Sequence, residues 1–301
     1  MPEPAELRRQ EYVGRMNRAI DYIRENLNGD LRLEAIARSA SFSPYHFHRI
    51  FRSVVGETVN GFVRRQRAQK AAGMLLHSPG MTITEIAVAC GYSSPSLFAR
   101  EFRTHFAVSA SQFRGGGRAS IDQLRREVAS HGDVLQRQHT QRTDMVYRVQ
   151  VREEPMRYVA YIRHVGSYSD IGGALERLAR WAGSRGLLRD DTRMLAVYLD
   201  NPDVTPVDRL RSDACITVPQ GTRVQRDVGR MTLPGGTYAA AYAEIEITQY
   251  GEAWDRLFSD WLPESGYQPD DRPCYELYLN NPDEHPEHKH IVEICEPIRP
   301  L

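Results

Sequence analysis

The sequence predicts a multidomain chain: an all-α tandem helix-turn-helix domain followed by an α+β domain made of two βαββ repeats. Three observations carry that prediction. An amphipathic stretch, SFSPYHFHRIFRSVVG from Ser41 to Gly56, has an echo 51 residues later in SSPSLFAREFRTHF. The C-terminal half repeats itself at an offset of 80, with AVYLDNPDVTP from Ala196 lining up with ELYLNNPDEHP from Glu276. Charge also segregates under a formal net charge of zero: residues 1–118 hold 17 Lys and Arg against 10 Asp and Glu, and residues 145–301 hold 18 against 25.

The totals narrow the function classes. A chain of 301 residues is long enough to bury more than one core. No apolar run approaches the ~18 residues a membrane span needs, and MPEPAELRRQ lacks the apolar core of a signal peptide, so the expectation is a cytoplasmic protein with no membrane partner. Cys90, Cys215, Cys274 and Cys295 form no CxxC pair, which predicts buried, reduced thiols and neither metal nor cofactor.

In chain order, Met16, Ile20, Ile23 and Leu27 mark a first amphipathic helix that stops at Asn28-Gly29. A short helix with Leu33, Ile36 and Ala37 inward follows, then a tight turn at Ser41 to Ser43. The next helix has Ser43 as N-cap and Pro44 in its first turn. Phe47, Ile50, Phe51 and Val54 form its inward stripe, and Tyr45, His48, Arg49 and Arg52 its outward one. His46 and His48, two apart on a helix, point to different sides and do not make a metal pair.

Glu57 to Leu76 reads as one longer helix with Arg64, Arg65, Arg67 and Lys70 clustered, either a solvated basic face or a set of phosphate contacts including Arg65. Beyond it, Ile83, Ile86 and Ala87 repeat Leu33, Ile36 and Ala37, and Gly91 supplies the turn. Phe98, Phe102 and Phe106 point inward there, and the outward stripe reads Ser96, Ala99, Arg100 and Arg103. Two capped, basic helices in register, joined by a rigid helix, suit successive major grooves of double-stranded DNA about 34 Å apart.

From Met16 to Arg114, including GYSSPSLFAREFRTHF and SQFR, the chain resembles the AraC/XylS family of transcription regulators. The resemblance implies base-edge contacts from Tyr45, His48 and Arg49 in the first reader helix and from Ser96 and Arg100 in the second. Pro95 and Leu97 stand where relatives often carry polar readers, so the second helix is expected to read fewer bases or to use methyl contacts with thymine.

Gly115-Gly116-Gly117 predicts a break. Residues 119–144 read as a linker: a hinge, a short helix with Ile121, Leu124 and Val128 as a thin apolar stripe, and a loose tail. The acidic half, 145–301, divides into repeats of about 145–219 and 224–301, each a strand, a helix and two strands, with a cleft between the copies.

Symmetry breaks on one strand. Glu276 and Tyr278 share a strand face, and their equivalents are Ala196 and Tyr198. A carboxylate among aromatic rings suits a lipophilic cation through charge attraction and cation–π contact, although a solvated Glu on an exposed face is the alternative. Tyr168, Tyr250 and Trp254, near the helix starts, are further candidates for the lining or for plain core. EHPEHKH, with His285, His288 and His290, reads as a solvated loop.

This half, through YLDNPDVTPVDRLRSDACITVP and CYELYLNNPD, resembles the GyrI-like ligand-binding domain that is fused to AraC-type readers in Rob-type regulators and stands alone in gyrase-inhibitor proteins. The resemblance implies an amphipathic, often cationic ligand held at Glu276. The leading expectation is a transcription regulator with a small-molecule effector and no catalytic residue. A rival is a hydrolase of strained-ring or lipophilic molecules that uses Glu276 to activate water, with Glu244 and Glu246 as further carboxylates. A third is a domain that binds a protein such as RNA polymerase or gyrase.

Overall fold

The computed structural model describes residues 4–29, 31–130, 144–200, 202 and 205–301. The expected loose tail of the linker and the Asn201 and Asp203 of the first Asn-Pro-Asp lie outside them. Two compact units divide the chain, Arg9–His139 and Met1–Arg8 with Thr140–Leu301.

In the helical unit, α1 (Pro4–Glu25) buries Tyr12, Met16, Ala19, Ile20 and Ile23. The first motif is α2 (Leu33–Ser39) and α3 (Pro44–Val55), and α4 (Val59–His77) connects it to α5 (Ile83–Ala89) and α6 (Pro95–Phe106). Caps set the starts: Thr58 accepts from the Gly61 amide, Thr82 and Glu85 form a reciprocal box, and Ser94 accepts from the Leu97 amide. Each motif turns through one left-handed residue, Ser41 (φ 59°) in the first and Gly91 (φ 80°) in the second.

Aromatic chains fill both motifs. Phe42, Phe47, Phe51 and Phe62 run ring to ring through the first, and Tyr92, Phe98, Phe102, Phe106 and Phe113 through the second. The glycine run only separates α7 (Ala110–Gly115) from α8 (Gly117–Ser130). Rather than standing off as a linker helix, α8 packs Leu124 on the second core, and its Gln123 donates to the Phe106 carbonyl at 2.7 Å.

The second unit opens with β1 (Val146–Glu154) and β2 (Arg157–Val165), then α9 (Gly172–Gly183), β3 (Met194–Tyr198) and β4 (Arg211–Thr217). The second repeat follows as β5 (Val228–Leu233), β6 (Gly236–Ile245), α10 (Tyr250–Arg256), a π-helical segment Leu257–Trp261, α11 (Leu262–Ser265), β7 (Tyr267–Pro269), β8 (Tyr275–Tyr278) and β9 (His290–Pro300). The sheet runs β1-β6-β9-β8-β3-β4-β2-β5, with β7 added on β9.

Read from either end, that order is the same once repeat-equivalent strands are exchanged. The second repeat adds the short β7, and each repeat gains a leading strand beyond the predicted βαββ, because Pro155 in one and Pro234-Gly235 in the other cut an alternating run in two. The extra strands cross over: β1 pairs with β6, and β5 with β2. Each repeat therefore completes the other's sheet edge.

One sheet face packs Leu195, Val197, Cys215, Tyr275, Leu277 and Cys295 with Tyr238 into a core. The four cysteines are buried and unbridged, as expected, and burial pushes the Cys295 thiol up to about 12. Strand alternation sends Ala196, Tyr198, Glu276 and Tyr278 to the opposite face.

Candidate functional site

In the helical unit, the outward stripes are only partly at the surface. Tyr45 is 41% exposed, Arg52 is exposed and Arg49 is half-buried. His48, expected beside them, is 2% exposed, because the buried face of α3 takes in His46 and His48 along with Phe47, Ile50 and Phe51. Burial, then the charge of Arg52, holds its imidazole below the ordinary value. On α6 the outward stripe is open: Ser96, Arg100 and Arg103 are all exposed over the buried Phe98, Phe102 and Phe106.

The basic cluster of α4 departs most from expectation. Arg65 is 6% exposed, pairs with Glu57 and lies 4.9 Å over the Phe62 ring. Arg67 donates to the carbonyls of Leu27 at 2.9 Å and Gly29 at 3.1 Å, just past α1, and Lys70 donates to the Ala89 carbonyl at the end of α5. Cations placed at carbonyl-rich helix ends satisfy orphan acceptors and complement the dipole. Arg67 and Lys70 thus bind α4 to its neighbours, and Arg65 closes its own N-terminal turn. Only Arg64 matches the solvated reading without such a contact among the described residues.

In the second unit the structure brings the five aromatic residues expected around the acid into its neighbourhood. β3 and β8 pair antiparallel with Ala196 opposite Glu276, so the axis relating the repeats passes through that pair. Glu276 is 2% exposed. Its Oε2 accepts from the Tyr198 hydroxyl at 2.6 Å and the Tyr278 hydroxyl at 3.3 Å, and its Oε1 accepts from the Trp254 indole N–H at 2.7 Å. The Tyr168 ring lies 4.7 Å from that of Tyr198, and its hydroxyl donates to the Asp200 carbonyl. Trp254 stacks on Phe258.

The electrostatics follow from burial. Tyr198 and Tyr278 are pushed well above the ordinary phenol value, first by burial and then by the Glu276 charge, and Tyr250 is raised by the same two causes. All three phenols stay protonated, and Tyr198 and Tyr278 act as neutral donors to the carboxylate. Two other buried carboxylates of this unit are held by guanidinium groups: Glu154 by Arg152 and Arg157, Asp213 by Arg163. Those pairs cancel charge where they sit. Phenols and an indole solvate a charge without cancelling it.

Glu244 and Glu246 do not join Glu276. Glu244 accepts from Tyr242 at 2.6 Å, and Glu246 caps the turn into α10 through Gln249. His290 was missed. It is the first residue of β9 rather than part of a solvated loop, and its Nδ1 lies 2.8 Å from the Tyr250 hydroxyl. The offset of 80 held the signal, since Tyr250, Trp254, Glu276 and His290 correspond to Asp170, Ala174, Ala196 and Leu210.

Comparison with known proteins matches the two parts separately. Residues 147–299 match the GyrI-like small molecule binding domain, and residues 36–116 match a helix-turn-helix domain. The chain is 32% identical over 145 residues to the DNA gyrase inhibitor of Escherichia coli (strain K12), covering 44% of this chain and 85% of that one. It is 32% identical over 136 residues to the DNA gyrase inhibitor of Salmonella typhimurium, covering 44% and 86%. Among solved structures, the C-terminal domain of AraT, a response regulator from Geobacillus stearothermophilus, is 30% identical, covers 34% of this chain and 84% of its own, and has a TM-score of 0.32. No helix among the described residues is long and apolar enough to cross a membrane. The chain belongs to the GyrI-like small molecule binding domain family and carries that domain behind an AraC-type helix-turn-helix domain, as a DNA-binding regulator.

Proposed function

We propose that the effector of this regulator is an amphipathic cation held against Glu276, and that its binding alters the activity of the helical domain on DNA. The observation that carries the reading is a buried carboxylate whose donors are Tyr198, Tyr278 and Trp254, with further rings at Tyr168 and Tyr250 around it. Such a site returns less of the desolvation cost of the charge than an arginine would, and a lipophilic cation restores the balance through charge attraction and cation–π contact. Tyr45, Arg49 and Arg52 on α3 and Ser96, Arg100 and Arg103 on α6 are the proposed DNA contacts. His48 and Arg65 act from inside the domain, where they shape the surface rather than touch DNA.

Calorimetric titration of the full chain with tetraphenylphosphonium tests the effector class. Glu276→Gln should lower affinity at least tenfold and leave operator affinity of the ligand-free protein unchanged; wild-type affinity in the variant would remove Glu276 from the site.

A second reading has a specific observation behind it. The similarity to DNA gyrase inhibitors covers this same domain, and on that reading the domain binds gyrase. A gyrase supercoiling assay separates the two: inhibition by the full chain that survives Glu276→Gln supports a protein partner independent of the acidic site.

A further inference from the structure

The two repeats build the same fold with different residues around the seam where Ala196 meets Glu276. Where the first repeat has Asp170, Ala174, Ala196 and Leu210, the second has Tyr250, Trp254, Glu276 and His290. Trp254 and Glu276 bond each other, and Tyr250 bonds His290 across 2.8 Å with the rings edge to face at 5.5 Å. Leu210 stands just before the first repeat's strand β4 in place of a histidine, so the fold itself does not require an imidazole there. The Tyr250–His290 pair occurs only on the side of the molecule that carries the acid, and Tyr250 is close enough to feel the Glu276 charge.

We propose that His290 is a positioning residue of the acidic site: by accepting the Tyr250 hydroxyl proton at Nδ1, it turns that donor away from Glu276 and leaves the phenol oxygen and ring face to a bound cation. The inference rests on the cationic reading above. It separates the phenols into two roles. Tyr198 and Tyr278 spend their protons on the carboxylate, whereas Tyr250 offers the ligand an acceptor, which a cation prefers to a donor.

Acceptance at Nδ1 requires a neutral ring. Protonation removes the acceptor and adds a positive charge beside the cation site, so affinity for a cation should fall as pH falls through the His290 value. Burial holds that value below the ordinary 6.5. The titratable groups around the ring are Tyr250 on α10, Glu244 and Glu246 at the end of β6, Lys289 beside it in the chain with its partner Glu287, and His285 in the preceding loop.

The test is calorimetric titration of the full chain with tetraphenylphosphonium from pH 5 to 8. His290→Leu, the residue of the first repeat, should weaken binding by about five- to tenfold at pH 7.5, the worth of one hydrogen bond. His290→Gln keeps an acceptor that does not titrate, so it should bind like wild type at pH 7.5 and lose less affinity than wild type below pH 6.5. Groups other than His290 titrate alike in both proteins, so the difference between their profiles isolates His290. Wild-type affinity in His290→Leu, or superimposable profiles for wild type and His290→Gln, would overturn the inference. If His290→Leu fails to fold by thermal melting, the His290→Gln profile decides alone. Loss of binding in Glu276→Gln with His290→Leu unaffected sinks only the role of His290, whereas full binding in Glu276→Gln sinks the cationic reading itself.

Discussion

Ala196 and Glu276 face each other across the seam between β3 and β8, directly on the axis that relates the two repeats. A residue on such an axis meets its own equivalent. Two glutamates here would place like charges on Cα atoms roughly 5 Å apart, and one Glu with one Ala leaves a single buried acid.

Ala196→Glu tests that geometry. The added carboxyl should be forced into its neutral form, with a folded pKa above its unfolded one. A group raised in this way is best tolerated below the unfolded value and costs most as pH rises past the folded one. The variant should lose about 3 kcal/mol or more at pH 7 and recover part of that at pH 5 in urea melts. Equal loss at both pH values would mean that the damage is steric.

The two left-handed turn residues predict opposite effects of exchange. Ser41 pays for φ 59° with a side chain, so Ser41→Gly should stabilise the helical domain by about 0.5–1 kcal/mol. At the same place in the second motif, a Cβ on Gly91 would sit 2.2 Å from the Leu27 carbonyl oxygen. Gly91→Ala should therefore cost at least about 2 kcal/mol, with strain and backbone clash adding. Thermal or urea denaturation measures both, and a neutral Gly91→Ala would mean that the Leu27 backbone, just past α1, gives way there.

Arg65 and Arg100 separate structure from recognition. Arg65→Met removes the partner of Glu57 and should lower stability by about 1–3 kcal/mol, while the slope of log affinity against log salt for DNA stays the same. Arg100→Ala should do the reverse, leaving stability within about 0.5 kcal/mol and weakening operator binding by about 1–3 kcal/mol. A reduced salt slope in Arg65→Met would bring that side chain back to the DNA.

Asp200 gives a pH signature. A side-chain hydrogen bond from Arg211 holds its carboxyl below the ordinary 3.8. A depressed carboxylate contributes stability above its unfolded value that is lost as pH falls through the folded one. Asp200→Asn should therefore cost some stability at pH 7, a small amount because Arg211 is half in solvent, and the cost should be smaller at pH 3. A cost that is the same at both pH values would assign it to packing.

Much of this molecule was legible because duplication leaves marks at fixed offsets. The two reader motifs, the two repeats and the Ala196–Glu276 break can be seen without coordinates, whereas Tyr168, Tyr250 and Trp254 read from the sequence equally as lining or as plain core. Less legible was α4, whose four cations look alike in the sequence. Whether a guanidinium meets water, a phosphate or the carbonyl end of another helix depends on what lies opposite, and for Arg67 that is Leu27, 40 residues away.

By itself, then, the sequence determined periodicity, register within each element and the points where two copies differ, since these are properties of neighbouring or equivalent positions. Tertiary structure alone decided that β1 and β5 cross between repeats, that His48 and Arg65 turn inward, that phenols and an indole rather than arginines receive Glu276, and that His290 stands behind Tyr250. Each of these depends on which distant segment closes against a given face. A side chain's own neighbours along the chain carry no record of that choice, because burial and hydrogen bonding are settled only when the whole sheet and helical core come together.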